Sequence, residues 1–365
     1  MASKKKVAII GTNGLPANYG GFETLAHHLV LNLANDFDIT VYCSKTPTQK
    51  KISTYNRARL KYIPLKANGW QSVIYDIISI FHAYWHSDVL VILGFSGAIA
   101  FPFNRIFKKN IVFNIGGIEW QKVRGSKFSA GLEIRIKKWM EMLCVKNSKS
   151  VIIDNFSFKE YLEEEYNIKP ILAEYGGDHT QRHKITDSLK EKYPFLSKPY
   201  DITVSRAQPD MNIHMVIEAY KAITNRTVVI ISNWNISDYG LRLFKENHDK
   251  YQNIILLNAI YEPVELNTLR SNCEIYIHTH SLCGTAPSLV EAMSLALPVI
   301  SFDVPANRST TEDKAFYFQD AAGLVHTLRN LTQINISSNL NHMAQIAKSR
   351  YKWERISNIY RSVLQ

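Results

Sequence analysis

The chain has 365 residues, more than one core usually fills, so two domains of α/β size are expected. A hydrophobic content of 46% excludes a disordered chain, and no run of residues is apolar for long enough to cross a bilayer as a helix. The net charge of +11 falls mainly on residues 1–175, where 23 Lys and Arg face 14 Asp and Glu, so the basic surface is expected there. Cys43, Cys144, Cys273 and Cys283 lie far apart without a CxxC, which argues against a zinc finger or disulfide framework. MASKKK is followed by only a short apolar run before Gly11, too little for a signal peptide, so a cytosolic chain is expected.

In chain order, residues 6–10 read as a strand, 11–21 as a loop, and Phe22, Leu25, Ala26, Leu29 and Leu33 recur at helical intervals. Further strands are expected at 39–43, 60–63, 89–93, 111–114 and 151–153, with helices such as 70–85 and 132–145 between them. This alternation predicts a mostly parallel sheet covered by helices on both faces. The loop GTNGLPANYGG matches neither GxGxxG nor a Walker loop, so a nicotinamide cofactor is poorly supported. Its paired Gly20 and Gly21 suit close approach of a sugar or diphosphate to a helix start, although paired glycines also make ordinary turns.

Toward the end of this half, Lys122, Arg124, Lys127, Arg135, Lys137, Lys138, Lys146 and Lys149 outnumber Glu133 and Glu141. Trp139, Met140 and Leu143 interleave with them at near-helical spacing, as an amphipathic helix on anionic lipid requires; a solvated helix face is the alternative. No nucleic-acid-binding module accompanies the charge, so nucleic acid is not an expected partner.

A second series of strands follows Tyr175-Gly-Gly-Asp178, at 201–204, 227–232, 253–257, 274–279 and 299–302. The predicted domains are 1–175, 176–345, and a C-terminal helical segment 346–365 packing back toward the first. Residues 274–308 are the most informative stretch. Strand, glycine loop (Gly284, Thr285), Pro287 at a first helical position and Glu291 one turn in form a unit ready for phosphate and sugar hydroxyls. An ordinary βαβ crossover with a solvated Glu is the bland alternative. Arg206, just past strand 201–204, would project from the carboxyl end of the sheet, where a guanidinium can clamp a diphosphate; a surface pair with Asp210 is its alternative. His278 and His280 share one face of a strand end, but no third ligand is evident in the sequence, so no metal is expected.

Taken together, several motifs resemble the retaining family 4 of GT-B glycosyltransferases, and within it a bacterial polysaccharide branch that includes rhamnosyltransferases. They are VAIIGTNGLPANYGGFETLAHHL near the start, NIGGIEWQKVRGSK, EYGGD, SRAQPDMNIHMVIEAY, YIHTHSLCGTAPSLVEAM and SFDVPANRSTTEDKAFYF, in order over nearly the whole chain. The resemblance implies two doubly wound Rossmann-like domains facing across a cleft, with the acceptor on the first domain and a nucleotide sugar on the second. It implies that Glu291 binds the ribose and that Arg206 with the amides near Ser288 and Leu289 holds the diphosphate. Gly20 and Gly21 would border the donor phosphates, and His280, Gly284 and Thr285 would line the transferred sugar. Asn13 and Asp178, within their motifs, join the candidate substrate contacts.

Four positions depart from the family's pattern. Cys283 stands where family 4 commonly has a first glutamate and the polysaccharide branch a glycine. Ala286 replaces an asparagine, Met211 a common lysine, and Gly116 an aspartate suspected of acting at the reaction centre; Glu119 is then the remaining carboxylate near the acceptor. The expected reaction moves a hexose or 6-deoxyhexose from a nucleoside diphosphate to a lipid-pyrophosphate-linked glycan at the inner face of the plasma membrane. Configuration would be retained, the leaving phosphate would take the acceptor proton, and no cofactor or metal would be needed. The rival readings are a non-catalytic nucleotide-sugar-binding subunit, a nucleotide-sugar 2-epimerase and, more distantly, a dehydrogenase.

Overall fold

The computed structural model describes residues 4–17, 20–44, 52–122 and 127–365, with the side chains of 119, 122 and 127–129 outside that description. The chain divides into two compact units, residues 1–174 with 354–365, and residues 175–353. The boundary differs from the predicted terminal segment: residues 346–353 belong to the second unit, because Tyr351 and Trp353 are buried there beside Gly176 and Gly177.

The first unit holds strands β1 (Lys6–Ile10), β2 (Asp38–Ser44), β3 (Thr54–Tyr55), β4 (Ala58–Ile63), β5 (Val89–Leu93), β6 (Asn110–Ile115), β7 (Ser150–Ile153) and β8 (Ile171–Leu172). They form one sheet in the order β3-β4-β2-β1-β5-β6-β7-β8, parallel throughout except for the short β3–β4 pair. Val7 to Ile10 and all of β5 are buried, as parallel strands covered on both faces require. Residues 354–364 of the terminal helix Trp353–Leu364 close this unit. Asn114 Nδ2 donates to Tyr360 Oη at 2.6 Å, Lys5 Nζ to the Leu364 carbonyl at 3.1 Å, and Arg361 pairs with Asp36 at 2.9 Å.

Helix Lys127–Lys146 corrects part of the amphipathic reading. Met140 and Leu143 pack on the core beside buried Cys144 and Val145, and buried Glu141 accepts from Tyr161 at 2.6 Å and Tyr166 at 2.9 Å. Among the described side chains, the large apolar residues left outside are Leu132, Ile136 and Trp139, one helical stripe. Lys137 pairs with Glu133 and Lys138 lies over the Trp120 ring, so these two cations already have partners. Lys122, Arg124 and Lys127 fall outside the described side chains. A second exposed stripe, Ile74, Ile78 and Trp85, runs along helix Gln71–His86, preceded by Trp70. Between the two helices lies a groove of roughly 410 Å³ lined mainly by Val73, Phe95, Leu132, Ile136 and Met140.

The second unit holds β9 (Asp201–Val204), β10 (Val228–Ser232), β11 (Ile254–Asn258), β12 (Tyr276–His278), β13 (Val299–Phe302) and β14 (Phe316–Phe318). The sheet order is β11-β10-β9-β12-β13-β14, all parallel. The chain therefore runs outward in both directions from the adjacent β9 and β12, and the loops after these two strands flank the crevice where open α/β sheets bind ligands. No helix among the described residues is long and apolar enough to cross a membrane.

Candidate active site

The loop after β9 carries Ser205 and Arg206, and the loop after β12 carries Thr279, His280 and Ser281. Three short hydrogen bonds stitch them together: Asn212 Nδ2 donates to the Thr279 carbonyl at 3.0 Å, while Ser281 N and Oγ both donate to the Asp210 carbonyl at 2.9 Å. The helix after β13, Pro305–Thr311, joins them: its Asn307 Nδ2 donates to the His280 and Phe302 carbonyls at 2.9 Å each. With the backbone held this way, Ser205 Oγ, Thr279 Oγ1 and His280 Nε2 are buried and lack hydrogen-bond partners among the described residues. Unpaired buried polar atoms are rare in folded proteins, and here three of them gather around one sheet crevice.

The structure brings Arg206 and His280 together. Arg206 is exposed, makes no side-chain hydrogen bond or ion pair among the described residues, and so does not form the surface pair with Asp210. Burial, then the positive charge of Arg206, holds His280 down at about 4 against the opposing pull of Asp210, so its ring is neutral at physiological pH. His278 is pushed well below the usual range by burial and by His280. Cys283 closes on both rings: the ligand atoms of His278, His280 and Cys283 lie within 4.8 Å of one another. This supplies the third metal-ligating group that the sequence did not reveal.

Helix Pro287–Ser294 begins with Pro287 at its first turn, as expected, but its N-cap Ala286 offers no side-chain acceptor. The Leu289 amide donates to the Ala286 carbonyl at 3.0 Å, while the Ser288 amide has no backbone partner among the described residues. Gly284 and Thr285 are buried beside this turn. Glu291 is not a solvated carboxylate. Its Oε2 accepts from Arg270 Nη1, its Oε1 lies 3.3 Å from His179 Nε2, and its side chain is 17% exposed. Burial would raise its pKa, but Arg270 and then His179 outweigh that and hold it down to about 2. Arg270, 2% exposed on helix Pro263–Ser271, has no motif around it that could have pointed to this role.

Met211 is a core side chain, 2% exposed, so this position, where the family resemblance implies a lysine, offers no cation to the crevice. Asp178 accepts from the Trp353 amide at 2.9 Å, an anchoring contact within the second unit.

In the first unit, Glu23 is the residue sequence reasoning missed. Its buried carboxylate accepts from the Asn13 amide at 2.7 Å and from Asn13 Nδ2 at 2.9 Å, while Asn13 Oδ1 accepts from Asn68 at 3.1 Å. Gly20, at φ 112°, precedes helix Gly21–Leu33; a Cβ there would sit 2.1 Å from Glu23 Oε2, so glycine is needed for the carboxylate to reach the loop. At Gly116 a Cβ would meet the Phe22 ring at 2.7 Å, so Phe22 occupies the space a larger residue would use. Glu119 lies in the short helix Glu119–Lys122, with its side chain outside the described residues.

Two family models match the chain. Residues 4–178 match a domain of unknown function, DUF1972, and residues 186–350 match the glycosyl transferases group 1 model. The fold is that of sucrose-phosphate synthase from Thermosynechococcus elongatus, with a TM-score of 0.83 at 15% identity and 99% of each chain covered. It also matches HepE from Anabaena, solved with UDP and glucose, with a TM-score of 0.74 at 14% identity over 99% of each chain. A Streptococcus pneumoniae protein, the GtfA subunit of a UDP-N-acetylglucosamine–peptide N-acetylglucosaminyltransferase, is 32% identical over 134 residues. That match covers 35% of this chain and 25% of the relative, so the chain aligns with about a quarter of that protein. The chain thus has GT-B architecture, with a domain that matches the glycosyl transferases group 1 model. Its second unit is the one that carries the glycosyl transferases group 1 domain.

Proposed function

We propose that the protein is a family 4 enzyme of the polysaccharide branch, moving a hexose or 6-deoxyhexose from a nucleoside diphosphate to a lipid-pyrophosphate-linked glycan with retention of configuration. The observation that carries this reading is the crevice between β9 and β12, where Arg206 stands beside neutral His280 and the Ser205 and Thr279 hydroxyls, the arginine and both hydroxyls without partners among the described residues. Arg206 and the Ser288 amide would take the charge that develops on the departing diphosphate. Glu291, kept ionised by Arg270, would accept from ribose hydroxyls, and the leaving phosphate would accept the acceptor's proton.

The first unit supports a lipid acceptor. Its apolar groove suits a hydrocarbon chain, and the exposed Leu132, Ile136 and Trp139 stripe lies among Arg135, Lys146 and Lys149, as a surface meeting anionic lipid requires. Incubation with a panel of nucleotide sugars and a lipid-linked acceptor, followed by mass spectrometry of donor consumption, tests the reading. Turnover of one donor is expected, with Arg206→Ala lowering kcat by about 100-fold or more. Folded protein that consumes no donor would sink it. Ile136→Glu with Trp139→Glu should release the protein from anionic vesicles.

A second reading, a nucleotide-sugar-binding subunit without chemistry, is favoured by one observation: position 116 has no carboxylate and the Phe22 ring fills its surroundings. Nucleotide binding without turnover would establish it.

A further inference from the structure

We propose that His278, His280 and Cys283 form a binding site for a borderline-soft divalent cation of the Zn²⁺ class. The local sequence builds it. β12 ends at His278, and in extended chain residues two apart share a face, so the rings of His278 and His280 lie side by side with centroids 4.3 Å apart. The Ser281-Leu282 turn then folds Cys283 back onto them, and all three ligand atoms fall within 4.8 Å of one another. Zn–N and Zn–S bonds in a tetrahedral site place neighbouring ligand atoms about 3.5 Å apart, so the set has to close by only about 1 Å to reach bonding distance.

Two further observations point to a ligand. Both ring nitrogens of His278, which is 1% exposed, and Nε2 of His280 are buried without a hydrogen bond of normal geometry among the described residues, although the Asn307 carboxamide approaches His278. Such atoms lose their water on folding and gain little from the protein in return, a cost that a coordinated cation removes. Asn307 also fixes the surroundings: its amide holds the His280 and Phe302 carbonyls, and its Oδ1 faces the Cys283 thiol at 3.9 Å. Outer contacts of this kind set the orientation of metal-binding side chains.

The two histidines alone would make a weak pair, and Cys283 completes a His₂Cys set. Three protein ligands leave a fourth position for solvent or a ligand oxygen, the open type of zinc site. Binding converts the Cys283 thiol to a thiolate and releases its proton to solvent. On the donor reading above, a cation here takes His280 away from the transferred sugar, so metal and donor compete. The metal site itself is probed without any donor.

The test is anaerobic titration of the reduced, metal-free full chain with Co²⁺, followed by Zn²⁺. One Co²⁺ per chain is expected, with tetrahedral d–d bands and a thiolate-to-cobalt charge-transfer band that Zn²⁺ abolishes. Cys283→Ser should lose the charge-transfer band, His278→Gln should weaken binding by about tenfold or more, and Cys273→Ser should keep both signals. In the unmutated chain, Zn²⁺ should protect Cys283 but not Cys273 from alkylation, a readout that does not depend on any variant folding. No saturable charge-transfer band in folded protein, its persistence in Cys283→Ser, or unprotected Cys283 at saturating Zn²⁺ overturns the proposal.

Discussion

Arg270→Met offers the sharpest test of how the second unit presents its carboxylate. In the native protein Glu291 is held at about 2 against an ordinary value of 4.5, a preference for the charged form worth about 3 kcal/mol. Because the folded pKa is depressed, this contribution is complete above the unfolded carboxyl's range and is lost as the pH falls from about 4.5 toward 2. Removing Arg270 leaves a largely buried carboxylate with only His179 beside it, and breaking one side of such a pair costs about 3–5 kcal/mol. Glu291 retains some exposure, so a loss near the lower end, about 3 kcal/mol at pH 7, is expected. The double variant Arg270→Met/Glu291→Gln removes both charges and should recover most of that loss. Since the chain has two units, hydrogen exchange by mass spectrometry on peptides from β12 and helix Pro287–Ser294 is the suitable assay, because it reads local opening. A single-variant loss below about 1 kcal/mol, or a double variant no more stable than the single, would refute the reasoning.

Three other outcomes are expected. Burial raises Asp76 to about 7, so the folded state holds a proton there that the unfolded state releases; stability should fall as pH rises from about 4 to 7, by at most on the order of 4 kcal/mol. Urea unfolding of Asp76→Asn should show that slope removed, and an unchanged slope would place its origin elsewhere. Gly20→Ala should cost about 1–3 kcal/mol and lower hydrogen-exchange protection of the Asn13 amide, because the new Cβ displaces the Glu23 carboxylate. Gly116→Asp should lower the melting temperature through its clash with Phe22, at a cost of about 1–3 kcal/mol, and Phe22→Ala in the same chain should relieve that clash.

Much of the architecture was legible because it is local. The strands at 6–10, 89–93, 201–204 and 299–302 are short apolar runs bounded by turn residues, and the structure places them at those bounds. β3, β8 and β14 were not legible: two or three residues at or near a sheet edge carry no periodicity, and their pairing is decided by the neighbouring strand. The reading of residues 132–145 as a helix needed only spacing. Which of its apolar residues face inward depended on a core built from β5, β6 and β7, so Met140 and Leu143 turned in while Trp139 stayed out.

By itself, then, the sequence determined the α/β alternation, the doubled parallel sheet, the glycine loops and the Pro287 helix start, since each follows from residue type and spacing within a few positions. Only the tertiary structure decided the partners. Glu291 meets Arg270 from 21 residues upstream, Phe22 meets Gly116 across the first sheet's loops, and Cys283 closes on His278 after a turn whose course Asn307 holds. Sheet order sets which loops become neighbours, and burial then sets the charge each group can carry. Neither is written in the spacing of any single segment.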